Sequence, residues 1–173
     1  QRAGPSCAIR KRIAKQVMGD KSVAAHPISL HNATEHVIGG GSDIAGNIQR
    51  MVPHQGAVPS RDMNALLSLP KSVRQDILAS HVANWLVGDH DAYGSQYLLT
   101  PNQQNAIHID YGQAFKHMGQ DRLDTEYHPN GRFGVPKPSP LLLLEAYRDG
   151  NVHLDLNDPK IHEAVQRAES IPD

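Results

Sequence analysis

Apolar residues recur every four positions near the amino-terminal end of the sequence. Ile9, Ile13 and Val17 share one face of a helix if the chain is helical over residues 8–18. Gly19 follows at once, as glycine often does where a helix ends. Lysine and arginine lie mostly off the apolar face, so we predict a short amphipathic helix whose charged face is solvated.

A longer helical pattern lies in the middle of the chain and starts near Pro70. Its apolar residues share one side of the helix, and they are Val73, Ile77, Leu78, Val82, Trp85 and Leu86. A shorter pattern with Met63, Leu66 and Leu67 precedes it. We expect the longer helix to be the buried centre of the domain, and its end leads into the acidic sequence GDHD.

Two pairs of strand patterns each flank a loop. ATEHVI (33–38) and NIQRMV (47–52) are β-prone, and the glycine-rich segment between them predicts a hairpin. QYLLT (96–100) and AIHID (106–110) flank the polar turn PNQQN and predict a second hairpin. His108 alternates with two isoleucines in the last strand, so we interpret it as a structural histidine that faces across the hairpin.

The last part of the chain combines a proline-rich segment with two helices. FGVPKPSP (133–140) predicts an extended surface loop. LLLLEAYRDG predicts a helix that ends at Gly150, and Asp158 followed by Pro159 predicts the start of another. The inward residues of that last helix should be Ile161, Ala164, Val165 and Ala168. Helices mixed with hairpins indicate an α+β fold.

Composition limits what such a fold can do. The chain has 173 residues, of which 39% are apolar, enough for a buried core. Lysine and arginine number 17 against 18 acidic residues, so no global field attracts nucleic acid or a membrane surface. Cys7 is the only cysteine, which excludes an internal disulfide and a cysteine-based zinc site. No apolar run approaches the roughly 18 residues of a membrane span, so we predict neither a transmembrane segment nor a nucleic-acid partner.

Two acidic motifs are the main candidates for chemistry. Asp91 follows the central helix in GDHDAYG, and Asp110 ends the second predicted hairpin, which should return it close to the loop that carries Asp91. One carboxylate could then orient an acceptor hydroxyl while the other holds a divalent cation against a phosphate, as phosphoryl transfer requires. From spacing alone, either aspartate could equally be a turn or capping residue.

This order of motifs resembles the catalytic core of the phosphatidylinositol 3/4-kinase-like family, atypical relatives of the protein kinases. The family pattern is an Asp-Arg-His-x-x-Asn loop, matched by Asp91, followed by a strand that ends in Asp-Phe/His-Gly, matched by DYG (110–112). GNIQRMV (46–52) is similar to the Gly-Ser-x-Gln-x-Phe-Val strand before the adenine-binding linker of the type II 4-kinase branch. The resemblance spans most of residues 8–115 and would make the chain a bacterial or divergent member.

The resemblance implies a protein-kinase-like fold with two lobes. Residues 1–52 would form a partial amino-terminal lobe of one helix, a hairpin and a hinge strand, and residues 53–173 a mostly helical carboxy-terminal lobe. The implied activity is ATP-dependent phosphotransfer to a hydroxyl group of a lipid or a protein. A cytoplasmic protein and a secreted effector are both compatible with the sequence.

The same resemblance assigns roles to individual residues. Asp91 would be the catalytic aspartate. Gln96 and Asp110 would hold Mg²⁺ or Mn²⁺ together with ATP, since amide and carboxylate oxygens are the ligands such cations prefer. The residues that bind the adenine of ATP would be Gln49, Met51 and Val52.

The sequence departs from the family at several positions. Ala92 and Tyr93 stand where the family has arginine and histidine, and Gln96 replaces an asparagine, which keeps the amide carbonyl but adds a methylene. The glycine-rich phosphate loop and its lysine should precede the first helix, so a longer chain or a partner segment would have to complete the amino-terminal lobe. A pseudokinase, or a kinase lobe used as a binding module without catalysis, is therefore the alternative.

A metallophosphoesterase is a remote alternative, because GDHD resembles the Gly-Asn-His-Asp/Glu motif of that group. The Asp-x-His and Gly-Asp-x-x-Asp-Arg motifs that such an enzyme also needs do not occur in the sequence. The 11 histidines show no His-Glu-x-x-His spacing, so we interpret most of them as scattered surface residues and not as a zinc site.

Overall fold

Helices and two short hairpins build the part of the chain that the computed structural model describes. That part comprises residues 5–19, 25–30, 44–49, 51–59, 62–89, 91–111 and 137–171. The helices are α1 (Pro5–Met18), α2 (Met63–Ser68), α3 (Lys71–Leu86), α4 (Ser139–Arg148) and α5 (Pro159–Glu169). The strands form two antiparallel pairs, β1 (Ala25–Leu30) with β2 (Ile44–Gln49) and β3 (Tyr97–Leu99) with β4 (Ala106–His108). This content agrees with the predicted α+β class, while the kinase-like arrangement stays a prediction.

Local sequence signals define several helix ends as predicted. Gly19 after α1 and Gly150 after α4 adopt positive φ angles of 56° and 75°, which glycine adopts without the steric cost of a side chain. The Asp158 carboxylate accepts a hydrogen bond from the Lys160 amide at 2.9 Å and caps α5. The start of α1 differs, since the helix begins at Pro5, earlier than the apolar pattern indicates.

The first hairpin is built differently from the prediction. β2 pairs with β1, with Ala25 opposite Gln49 and Leu30 opposite Ile44. Residues 33–38, which we predicted to be the partner strand, lie outside the described residues. The β-prone patterns show which residues can form strands, but strand pairing depends on contacts that the local pattern does not contain.

The central helix α3 is packed against neighbours on two sides. One apolar cluster contains Val73, Ile77 and Leu78 together with Leu66, Tyr97, Leu143 and Leu154. The other contains Ala79, Ala83 and Val87 together with Ala14, Val17, Tyr111 and Ala164. The prediction of a buried central helix is confirmed. Its predicted inward face is wrong in the last turn, because Trp85 and Leu86 are 55% and 37% exposed.

Packing on two sides also buries polar side chains of α3, and each has hydrogen bonds to a distant segment. The Gln75 amide group donates to the backbone oxygen of Asp155 at 2.8 Å and accepts from its amide at 3.3 Å. The Asp76 carboxylate accepts from Lys160 Nζ at 2.7 Å and from the Ala106 amide at 3.0 Å. Asp76 therefore joins α3 to α5 and to β4 at once, because a buried carboxylate needs such partners.

Two predictions for the carboxy-terminal part are wrong in detail. Pro138, Ser139 and Pro140 are buried, and Ser139 and Pro140 already belong to the first turn of α4. The second half of the proline-rich segment is therefore not a surface loop. In α5, Ala164 is buried but Val165 is 38% exposed, so the helix turns a narrower apolar face inward than predicted.

Candidate functional site

The carboxyl end of α3 sets where the acidic loop begins. Gly88 has a positive φ of 59°, and its amide donates to the Trp85 oxygen at 3.2 Å. The Asp89 amide donates to the Asn84 oxygen at 2.8 Å. This pair of bonds is a Schellman motif, which ends a helix with a sharp turn in the backbone. Asp89 is therefore held directly beneath the last turn of α3.

Asp89 and Asp91 have different environments although only His90, outside the described residues, separates them. The Asp89 side chain is fully buried, and its Oδ1 accepts a hydrogen bond from the Asp91 amide at 3.2 Å. Asp91 is half-buried, and its backbone oxygen accepts from the Tyr93 amide at 3.1 Å. Of the two acids, Asp91 is thus the one that a ligand can reach.

Gln96 connects the acidic loop to the strand that carries the second motif. Its side-chain Oε1 accepts a hydrogen bond from the Tyr93 amide at 3.2 Å, which closes the loop on itself. Its backbone oxygen accepts from the Ile109 amide at 3.0 Å, next to the exposed Asp110. The structure therefore places Gln96 and Asp110 at the base of one hairpin, and it places Asp91 on the loop that the Gln96 side chain closes.

The second hairpin itself is confirmed. β3 and β4 are antiparallel, with Tyr97 opposite His108 and Leu99 opposite Ala106. The polar turn between them includes Gln103, which has a positive φ of 54°. Because the strands are short, the hairpin returns the chain to the acidic loop within a few residues, as the spacing of the two motifs predicted.

A row of three aromatic side chains forms a buried wall next to the second motif. The His108 ring stacks on Tyr97 at a centroid distance of 4.5 Å and contacts Tyr111 at 4.2 Å. All three side chains are buried. His108 thus has the structural role that its alternation in the strand predicted, and Tyr111, next to Asp110, is anchored on this wall.

The Tyr97 hydroxyl links the wall to α3. It shares a hydrogen bond of 2.7 Å with the Ser80 hydroxyl and accepts a longer one of 3.4 Å from Asn84 Nδ2. Burial raises the pKa of Tyr97 well above that of a free tyrosine, and the Asp89 carboxylate raises it further, against the two hydrogen bonds. Tyr97 is therefore a neutral, hydrogen-bonded phenol. The sequence analysis missed this polar contact, since nothing in the local pattern pairs residues 80 and 97.

The position where the kinase-like family has an arginine is closed to a large side chain in this protein. Ala92 is fully buried and belongs to the same apolar cluster as Val58, Tyr97 and Leu143. Its backbone oxygen accepts a hydrogen bond from the Ser139 amide at 2.8 Å, which docks the start of α4 on the acidic loop. The departure from the family motif is thus matched by the packing around it.

The predicted adenine-binding residues lie at and after the end of β2, and not in the β3–β4 hairpin. Gln49 is the last residue of β2. Met51 and Val52 were predicted to belong to the same strand, but they lie after its end, and Met51 is 86% exposed. The chain that follows, residues 55–58, runs along β3 and is joined to it by three backbone hydrogen bonds of 2.9–3.0 Å. This segment is the connection between the predicted hinge and the hairpin, and sequence analysis did not anticipate it.

Comparison with known proteins yields no match, since no family model, curated protein or solved structure matches the chain. Among the described residues, no group of three or more His, Cys, Asp and Glu side chains could hold a metal ion. Within the same residues, no helix combines the length and apolar character that crossing a bilayer requires, in line with the predicted lack of a transmembrane segment.

Proposed function

We propose that the protein is an ATP-dependent phosphotransferase that acts on a hydroxyl group, with its site at the base of the β3–β4 hairpin. The observation that carries the proposal is the backbone hydrogen bond of 3.0 Å between the Gln96 oxygen and the Ile109 amide. It joins the loop of Asp91 to the strand end of Asp110. Phosphoryl transfer depends on holding such groups in fixed relative positions.

Asp91 is the group that orients the acceptor hydroxyl in this proposal. Its side chain is half-buried, which leaves it accessible. The loop around it is fixed because the Asp91 amide donates to the Asp89 side chain and the Asp91 oxygen accepts from the Tyr93 amide. A carboxylate in hydrogen-bonding reach of a hydroxyl can align it for attack and accept its proton as the phosphoryl group transfers.

Asp110 and Gln96 would hold a magnesium or manganese ion. Asp110 exposes a carboxylate, and Gln96 Oε1 has a second lone pair besides the one that accepts the Tyr93 amide. Magnesium is commonly held by one or two protein oxygens, with waters and substrate phosphates completing its coordination. The ion would neutralise charge on the nucleotide phosphates. A site of this kind does not require three acidic or imidazole side chains, so it fits the described residues.

The acceptor in this proposal is a lipid or protein hydroxyl, and the family resemblance does not choose between them. Gln49, Met51 and Val52 would bind the adenine of ATP. The proposal therefore separates into nucleotide binding at the hinge and chemistry at the hairpin base, which can be measured independently.

A binding module without catalysis is the second candidate, and two observations favour it. Ala92 leaves no room for the arginine of the family motif, because its surroundings are fully packed. Gln96 Oε1 is already engaged by the Tyr93 amide, which limits its freedom as a metal ligand. Such a module would bind nucleotide or partner without transferring phosphate.

Calorimetry with Mg·ATP and an assay of label transfer from γ-labelled ATP distinguish the candidates. A phosphotransferase binds Mg·ATP and transfers or releases label, and Asp91→Ala lowers that rate by about 10²-fold or more with little change in ATP affinity. Asp149→Ala, which removes an exposed aspartate after α4, is the matched control and should keep the rate. Binding without turnover would favour the module, and no binding of Mg·ATP would contradict both the phosphotransferase and a module that binds nucleotide.

A further inference from the structure

We infer that Asp89 is a positioning residue that holds the backbone of Asp91, so that the first acid of GDHD aligns the second. The catalytic part of this inference rests on the proposed function, whereas the structural part does not. The resemblance assigns the catalytic role to Asp91 alone, and the tertiary structure shows what the neighbouring acid Asp89 contacts.

Burial excludes Asp89 from contact with a substrate. Its side chain has no exposed surface, while Asp91 is half-buried. A carboxylate is costly to bury, and such a group is retained in a folded protein when hydrogen bonds compensate. Asp89 has one such bond in the amide of Asp91, which it accepts at 3.2 Å.

Hydrogen bonds hold the backbone of Asp89 in place, and this fixes the position of the side chain that binds the Asp91 amide. Its amide donates to the Asn84 oxygen at 2.8 Å, and the positive φ of Gly88 allows this turn. α3 is itself held in the core by its two apolar clusters. The bond from the Asp91 amide to Asp89 Oδ1 therefore ties the candidate catalytic residue to α3, the central helix.

Asp89 also lies close to the wall next to the second motif. Besides burial, which is the main cause, its charge contributes to the raised pKa of Tyr97. Tyr97 stacks on His108, which contacts Tyr111 next to Asp110. Asp89 thus lies near the wall that contains Tyr111, and the backbone that its side chain bonds directly is that of Asp91.

Two substitutions of Asp89 distinguish its role as a hydrogen-bond acceptor from the effect of its negative charge. Asp89→Ala removes the acceptor of the Asp91 amide, whereas Asp89→Asn keeps an oxygen acceptor but loses the charge that strengthens the bond. We expect amide hydrogen exchange at Asp91 to accelerate by about tenfold or more in the alanine variant and by less in the asparagine variant. The Ala106 amide, which donates to the buried Asp76 carboxylate, is the internal control and should not change.

Kinetics provides the second measurement. Asp89→Ala should lower kcat by about 10- to 100-fold with KM for ATP within about twofold, because misplacing a group by a fraction of an ångström impairs transfer more than binding. Asp89→Asn should restore most of the rate. A residue that only stabilises the fold would lower the folded fraction in urea unfolding but leave kcat per folded molecule unchanged, and that result would overturn the positioning role.

The two proposals fail in distinguishable ways. If the wild-type protein transfers no phosphate, the proposed function fails, while amide exchange still tests whether Asp89 holds Asp91. If Asp91 exchanges equally in the wild type and the alanine variant, the inference about Asp89 is wrong even when transfer is observed. Should the alanine variant not fold, Asp89→Leu, which also removes the acceptor but keeps a branched side chain, takes its place, and unchanged exchange at Asp91 in that variant would overturn the inference.

Discussion

The backbone oxygen of Gln96 accepts a hydrogen bond from the amide of Ile109 at 3.0 Å. This bond joins the last residue of the acidic loop to the residue before Asp110, and it closes the hairpin at its base. The two candidate metal ligands, Gln96 and Asp110, therefore lie at the same end of the hairpin.

Asp110→Asn should weaken binding of Mg·ATP more than binding of ATP in EDTA. The substitution removes a charged metal ligand but leaves the adenine and ribose contacts unaffected. Titration calorimetry with and without magnesium measures both affinities. An equal loss under the two conditions would show that Asp110 does not bind the metal. Asp62→Asn, at the exposed cap of α2, is the control for a general effect of charge.

Lys160→Met should destabilise the fold by about 2 kcal/mol in urea unfolding. The lysine is the partner of Asp76 Oδ1 at 2.7 Å, and the Asp76 side chain is only 1% exposed. Removing one partner of a fully buried pair costs about 3–5 kcal/mol, and the partial exposure of Lys160 lowers that figure because water replaces the lysine in part.

Two further variants make this test specific. Asp76→Asn in the Lys160→Met background should recover part of the loss, since it removes the uncompensated charge and keeps the acceptor for the Ala106 amide. Arg148→Met breaks a pair in which both side chains are about half exposed, and it should change the free energy of unfolding little. Equal effects of Lys160→Met and Arg148→Met would contradict the importance of burial.

Tyr97→Phe and Ser80→Ala should be coupled. Each single substitution removes one partner of the 2.7 Å hydrogen bond and should cost about 1 kcal/mol of unfolding free energy. The double variant should cost less than the sum, by about 0.5–1.5 kcal/mol, because the bond can be lost only once. Additive effects would mean that the two hydroxyls stabilise the protein independently.

His81 should make the protein less stable as pH falls below neutrality. The side chain lies in an apolar groove with Trp85 and Val165, and burial lowers its pKa from 6.5 to about 4. The unfolded chain then binds a proton before the folded one does, so stability is complete above about pH 6.5 and falls between pH 6.5 and pH 4. From pH 7.5 to pH 5 this loss is about 2 kcal/mol.

His81→Gln isolates this contribution, because glutamine does not titrate. The difference in unfolding free energy between wild type and His81→Gln should shift by about 2 kcal/mol over that pH range, while the other titrating groups contribute equally to both proteins. A difference that stays constant with pH would show that His81 does not carry a lowered pKa.

Much of the candidate site could be predicted from sequence because it depends on short-range signals. Strand patterns on either side of a polar turn determine the hairpin, and its short length returns Asp110 to the acidic loop. The chemistry of Asp91 and Asp110 follows from residue type. What could not be predicted is the contact that holds Asp91 in place, because the burial of Asp89 and its bond to the Asp91 amide depend on how the chain packs at the end of α3.

The sequence alone determined several helix ends and the turn of the β3–β4 hairpin, since Gly19, Gly150 and the Asp158 cap act through neighbours a few residues away. Only the tertiary structure decided which faces are buried. α3 exposes Trp85 and buries Asp76, because helices and a hairpin distant in the sequence pack on it from two sides and supply the partners that a buried carboxylate needs.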